Sequence, residues 1–133
     1  NMVENFFRFM SEDLKNDLEK FLAERRKSFY ETVLPPVDMY ESDNNLYIVL
    51  DLPGIKKESI QVEITSSFVT VSARRESEMG DKAIVHVNQR PERYFKRILL
   101  PTTVDKDKAF SKYENGVLTI TIPLGKSTKV PVE

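Results

Sequence analysis

Few side chains in this sequence could do chemistry. Its one histidine, His86, sits in a short apolar run with Ile84, Val85 and Val87. An imidazole can shuttle a proton or bind a metal, but with no second histidine and no cysteine an ordinary ligand set cannot be assembled. The lack of cysteine also excludes disulfides and thiol catalysis. The acidic pairs Glu76 with Glu78 and Asp105 with Asp107 would act as paired carboxylates only inside a desolvated pocket. Both pairs lie in polar, turn-rich stretches and read as solvated loop charge. The 4 glycines, at positions 54, 80, 116 and 125, are too dispersed to cradle a phosphate. The basic stretch Arg90, Arg93, Lys96 and Arg97, interleaved with Tyr94 and Phe95, has the composition of a nucleic-acid surface. In an extended strand, however, Arg93, Phe95, Arg97 and Leu99 share one face, which sets Arg97 amid apolar side chains. An unpaired charge there is costly, so Arg97 is expected to reach a carboxylate, across a subunit interface. No convergent polar site emerges, and no enzyme, cofactor or metal site is expected.

Bulk properties agree. The chain has 133 residues, 40% hydrophobic and 31% charged, enough for one domain with a real core plus short extensions. Its 20 basic and 21 acidic residues nearly cancel, which leaves no field suited to nucleic acid or an anionic membrane. No apolar run approaches the ~20 residues of a membrane span. Glu4, Arg8, Glu12 and Asp13 interrupt the apolar residues near the N-terminus, unlike a signal peptide, so a cytoplasmic location is expected.

The elements that position these residues fall into three parts. In residues 1–34, Val3, Phe6, Phe7, Met10, Leu14, Leu18, Phe21 and Leu22 recur at spacings of three and four, the mark of an amphipathic helix. Ser11, followed by Glu12 and Asp13, reads as an N-cap, so one helix or two joined near Ser11 fit equally well. Arg25, Arg26 and Lys27 suit a C-terminal turn. Pro35 and Pro36 end the helical region.

From there through residue 124 the period changes to two. The alternating runs begin at Val37 and Met39, then Leu46, Ile48, Leu50 and Leu52. Ile60, Val62 and Ile64 follow, then Val69, Val71 and Ala73, then Val85 and Val87. The last are Phe95 and Leu99 opposite Ile98 and Leu100, and Leu118, Ile120 and Ile122. Punctuation at Pro53-Gly54, Ser66-Ser67, Gly80, Pro101 and Asn115-Gly116 completes the pattern of an all-β, immunoglobulin-like antiparallel β-sandwich. Residues 125–133 form a polar tether ending in Val130-Pro131-Val132, a stiff extended segment with two valines that nothing nearby buries.

The sequence from 35 to 124 resembles the α-crystallin domain of small heat-shock proteins, in particular short archaeal-type members. The motifs that carry the resemblance are Pro35-Pro36-Val37-Asp38-Met39-Tyr40-Glu41 and Leu50-Asp51-Leu52-Pro53-Gly54-Ile55. Arg93-Tyr94-Phe95-Lys96-Arg97-Ile98-Leu99-Leu100-Pro101 and Tyr113-Glu114-Asn115-Gly116-Val117-Leu118-Thr119-Ile120 follow in order. Ser111 stands where the family signature has alanine. The resemblance implies an ATP-independent holdase that binds unfolding client proteins and is built from strand-exchanged dimers. These would assemble into a cage-like homo-oligomer of about 24 subunits.

It also implies roles for particular residues. Val130-Pro131-Val132 would dock in a neighbour's groove formed by Ile60, Val62, Ile64, Phe110 and Ser111, between strands at 60–64 and roughly 108–113. The 76–90 loop, with a short strand at 84–88, would pair with a partner's 37–41 strand. The dimer interface would thus hold Val37, Met39, Ile84, Val85, His86, Val87 and Arg97. Phe6, Phe7, Phe9, Met10 and Leu14 become candidates for client binding, and packing inside the assembly would suit them equally. A p23-like co-chaperone, or an adaptor that binds peptide by strand addition, is the alternative.

Overall fold

A computed structural model describes residues 1–33, 35–126 and 129–133, with the side chains of 3, 6, 7 and 27–33 excepted. Two helices, α1 (Met2–Arg8) and α2 (Glu12–Val33), precede seven strands. These are β1 (Val37–Ser42), β2 (Asn45–Asp51), β3 (Ile60–Ile64), β4 (Phe68–Arg74), β5 (Arg93–Leu99), β6 (Phe110–Glu114) and β7 (Val117–Pro123). The break between the helices falls at Ser11, whose Oγ accepts a hydrogen bond from the Leu14 amide at 3.2 Å and so caps α2. The basic run at 25–27 does not end α2, which continues to Val33. Pro35 and Pro36, which lack amide donors, are the effective stop. Among the described residues no helix is long and apolar enough to cross a membrane.

The strands form a four-stranded sheet in the order β1-β2-β7-β6 and a three-stranded sheet in the order β3-β4-β5. Every pairing is antiparallel. Alternation puts Leu46, Ile48 and Leu50 of β2 and Leu118, Ile120 and Ile122 of β7 on the inner face of one sheet. Val69, Val71 and Ala73 of β4 with Tyr94 and Ile98 of β5 face them from the other, and all are buried. Two hairpin turns require backbone in the left-handed region. Asn115 and Gly116 (φ 53° and 77°) join β6 to β7, as their sequence signals. Asp43 and Asn44 (φ 51° and 65°) join β1 to β2, a turn that carries no glycine.

The edges differ in how they are covered. On β1 only Val37 is half-buried and the rest is exposed, so this strand overhangs the sandwich. β3 and β6 are the edges of opposite sheets. Their separation is held by Tyr113, whose hydroxyl donates to the Leu52 carbonyl at 2.5 Å, with the Ile55 carbonyl at 3.0 Å as second acceptor. This ties β6 to the turn that leads into β3.

The core sets an expectation for unfolding measurements. Leu50→Ala and Ile120→Ala, at fully buried positions, should each cost about 2–5 kcal/mol, whereas Leu99→Ala on the exposed face of β5 should stay within about 0.5 kcal/mol. Tyr113→Phe should cost about 1 kcal/mol, through the carbonyls left without their donor. Denaturant titration at fixed protein concentration checks all three.

Candidate functional site: an edge groove, a free arm and a projecting loop

Between the β3 and β6 edges lies an open cleft of about 250 Å³ lined by Lys57, Ile60, Val62, Ser111, Tyr113 and Leu118. The alternation of both strands creates it. Ile60 and Val62 point inward from β3, while Ser111 and Tyr113, opposite Ile120 and Leu118 of β7, point inward from β6. Since β3 and β6 are not hydrogen-bonded to each other, the apolar row stays accessible from the side. The structure therefore brings Ile60, Val62 and Ser111 together as the sequence suggested.

It does not place Phe110 or Ile64 in that lining. Phe110 is 63% exposed, because its position in β6 alternates with the inward Ser111. Ile64 is half-buried against the core. The strand at this edge begins at Phe110 and not at 108, since Lys106–Lys108 form a single 3₁₀ turn. Sequence reasoning missed Tyr113, Leu118 and Lys57 as lining residues. The inward alternation of Ser111 with Tyr113 could have found the first. Lys57 precedes β3 in a 3₁₀ turn that no period-two pattern reveals.

The arm that follows β7 is rooted firmly. Val104 bridges Leu124, the Leu124 amide donates to Asn44 at 3.0 Å, and the Gly125 amide donates to Thr103 at 2.9 Å. A Cβ on Gly125 would come within 2.9 Å of Thr103 Cγ2 and 3.2 Å of the Val104 backbone, so this root needs glycine for space. Beyond it the motif valines are in solvent, Val130 at 77% exposure and Val132 at 98%.

The loop between β4 and β5 contains no strand. Residues 84–88 are irregular and exposed, because within one chain nothing pairs with their backbone. Ile84, Val85 and Val87 consequently present apolar surface, as Met39 does on overhanging β1. His86 is exposed beside them. Segment 85–89 and the α2 residues Asn16, Glu19, Lys20, Ala23 and Glu24 form the two walls of a groove of about 590 Å³. The loop's neck is fastened. Arg75 Nε donates to the Pro91 carbonyl at 3.0 Å, its Nη2 donates to the Arg90 carbonyl at 3.3 Å, and Lys56 pairs with Glu76 at 3.0 Å. Glu76 is thus a solvated ion-pair partner, as is Asp105, which lies 3.7 Å from Lys108.

Arg97 departs from expectation. Its face of β5 points outward, so the side chain is exposed and makes no ion pair with a carboxylate among the described residues. Its guanidinium lies 3.7 Å from the centroid of the Phe68 ring instead. The strand places Phe95 and Leu99 beside it, but outside the core, which β5 fills with Tyr94 and Ile98. At the N-terminus Phe9 is 91% exposed and Leu14 52%, while Met10 is half-buried. The side chains of Phe6 and Phe7 lie outside the described residues. No group of three or more His, Asp or Glu side chains converges among the described residues.

Comparison with known proteins gives this geometry a context. The Hsp20/alpha crystallin family profile matches residues 38–132. The chain is 28% identical over 140 aligned residues to heat shock protein HSP.16.4 of Streptococcus thermophilus, covering 100% of this chain and 87% of that one. It is 26% identical over 110 residues to a probable 15 kDa heat shock protein of Leptospira interrogans, covering 83% and 85%. Among solved structures, a point variant of hsp14.1 from Sulfolobus solfatataricus P2 superposes with a TM-score of 0.68 at 34% identity, covering 90% of this chain and 97% of that one. A small heat-shock protein from Xylella fastidiosa, described as having a distinct high order structure, superposes at 0.61 with 26% identity over 75% of this chain and 94% of that one. Sandwich topology, motif order and sequence similarity agree: the chain belongs to the Hsp20/alpha crystallin family of small heat-shock proteins, whose role is that of stress-response chaperones.

Proposed function

We propose that this protein is an ATP-independent holdase of the cytoplasm, which assembles from strand-exchanged dimers into a larger cage-like oligomer and binds unfolding proteins on apolar surface to keep them from aggregating. The observation that carries the proposal is a complementarity within one chain. An apolar slot between β3 and β6 and a tethered, solvent-exposed pair of valines match in chemistry and spacing. Along an extended chain Val130 and Val132 stand ~7 Å apart, as do Ile60 and Val62 along β3.

Burying the two valines would contribute roughly 1.5–3 kcal/mol each before the costs of association. A single arm is therefore a weak link. Many arms closing one assembly act at high effective concentration, so the whole holds while each contact stays exchangeable. Because Gly125 is fixed, only residues 126–129 can bridge, and four extended residues reach at most ~14 Å. The acceptor groove must belong to an adjacent dimer. Pro131 lowers the ordering cost by keeping the motif extended before it docks.

The dimer itself would form where β1 offers an unpaired edge and 84–88 offers an apolar segment that lacks a strand partner. Anchored at Arg75, the loop could reach a partner's β1 without disturbing β4 or β5. Phe9, Met10 and Leu14 supply apolar surface at the other end of the chain for client segments, with Phe6 and Phe7 beside them in sequence.

Mass measurement tests the arm. Val130→Asp combined with Val132→Asp should give dimers with a sandwich of unchanged stability, and should weaken suppression of client light scattering under heat. A double-aspartate protein that keeps its full oligomeric mass would overturn the arm's role. Val→Ile at both positions should raise the dissociation temperature, by burying one more methylene at each site, worth about 0.5–1.5 kcal/mol per position. Deleting 79–87, inside the Arg75 neck, should leave a folded sandwich that sediments as a monomer on dilution. A dimer that survives this deletion rules out the loop as the dimer contact.

A further inference from the structure

At the neck of the loop between β4 and β5, a cavity of about 180 Å³ opens between Pro53, Gly54, Arg75, Arg90, Pro91 and Tyr94. Its lining carries two guanidinium groups and, among the described residues, no carboxylate. The two arginines converge on Gly54, where a Cβ would stand 3.9 Å from Arg90 Nη2 and 4.0 Å from Arg75 Cδ. Arg75 uses Nε and Nη2 to hold the Pro91 and Arg90 carbonyls, and its Nη1 makes no hydrogen bond among the described residues. Arg90 makes no ion pair among them. The acidic neighbours in sequence do not quench this charge: Glu76 pairs with Lys56 at 3.0 Å, and Glu92 does not line the cavity. Tyr94 completes the lining. It is 9% exposed, its hydroxyl makes no hydrogen bond with another described residue, and that oxygen is not sealed from solvent. A nearly buried phenol thus presents an unused donor to the space that the arginines flank.

We infer that this cavity binds a small tetrahedral oxyanion, inorganic phosphate or the terminal phosphoryl group of a polyphosphate, through Arg75, Arg90 and Tyr94. Guanidinium groups only donate hydrogen bonds and a phenol can do the same, so the matching ligand is anionic and rich in acceptors. Two like charges that face one space repel each other, and an anion between them turns that repulsion into attraction. The volume lies below the ~300 Å³ at which drug-sized molecules are held, which suits one oxyanion with its water and not a nucleoside. Here side chains replace the backbone amides of a glycine-rich phosphate loop, so no glycine spacing in the sequence marks the site. Arg75 follows the end of β4, Arg90 belongs to the returning limb of the loop and Tyr94 to β5. A bound anion therefore fastens both limbs of the loop to the sandwich, whether or not the loop tip makes the dimer contact.

Calorimetric titration of the full-length protein with phosphate tests the site, at constant ionic strength with chloride as the balancing anion. The isotherm should saturate at one phosphate per chain. Arg90→Gln should weaken binding roughly tenfold or more, and Tyr94→Phe roughly fivefold. Arg93→Gln, at an exposed position outside the cavity, should change it by less than about twofold. An isotherm that does not saturate overturns the site. So does an equal loss in Arg93→Gln and Arg90→Gln, which would mean diffuse attraction to basic surface. Tighter binding of tripolyphosphate than of phosphate identifies the end of a chain as the ligand, and equal or weaker binding identifies the free ion. Thermal unfolding gives a second readout. Without phosphate the wild type and Arg90→Gln should melt together, because the Arg90 side chain makes no ion pair among the described residues. As the site fills, the wild-type midpoint should rise and that of Arg90→Gln should lag behind it. An equal rise in both proteins is the general effect of phosphate as an excluded salt, and it overturns the proposal.

Discussion

A four-stranded sheet packed on a three-stranded one cannot have all its edges matched, and the accessible edge surfaces of this molecule follow from that inequality. The inner rows of β2, β4 and β7 weld the two sheets through residues with almost no exposure, Ile48, Leu50, Val69 and Ile120 among them. Once these rows are in contact, β1 hangs past the sandwich at one side and the β3 and β6 edges stand apart at the other. A closed barrel would have paired such edges and left nothing to use. Here the core is complete in itself, while the perimeter keeps backbone and apolar side chains available.

The perimeter is shaped by a few specific polar contacts. The Tyr113 hydroxyl joins β6 to the carbonyls of Leu52 and Ile55, which holds the cleft at one width. Arg75 clasps the carbonyls of Arg90 and Pro91, so the loop leaves β4 and returns to β5 through a fixed neck even though its tip has no regular structure. In both places a long side chain reaches backbone oxygens that the sheets leave unpaired, so the ends of an irregular segment are defined while its middle stays adaptable.

How much of this was legible in the sequence depended on whether partners lie nearby along the chain. Strict alternation from Leu46 to Leu52 and from Leu118 to Ile122 marks strands because burial of one face repeats every second residue. Asn115-Gly116 marks a turn because both residues tolerate positive φ. The matching turn at Asp43-Asn44 went unseen, since without glycine its signal merges with ordinary polar loop chemistry. Segment 84–88 has strand composition yet no strand, because β structure is a property of pairs and a single chain supplies no second member. For Arg97 the strand and its apolar neighbours were readable. Which face of β5 meets the core was not, and that depends on register with β4, where Arg97 falls opposite Thr70 and Ile98 opposite Val69. The family resemblance pointed to Ile60, Val62 and Ser111, three of the residues that line the cleft. Tyr113 and Lys57 enter the groove through a hydrogen bond and a 3₁₀ turn that only three dimensions display.

The anchoring at Gly125 would let the proposed assembly respond to heat in two separate steps. The Gly125 amide is bonded to Thr103 and its missing side chain lets the strand end lie flush against Val104, so the chain leaves the sandwich at this point. An arm can then leave and return without breaking any ladder of β7. Release of an arm docked as proposed would thereby be governed by a free energy separate from that of unfolding. Under the docking proposed above, two thermal transitions are expected in place of one: a lower one in which contacts between subunits loosen while every sheet is intact, and a higher one in which the core melts. The interval between them would then be a working range, over which exposed apolar surface grows with temperature and the scaffold that carries it does not change.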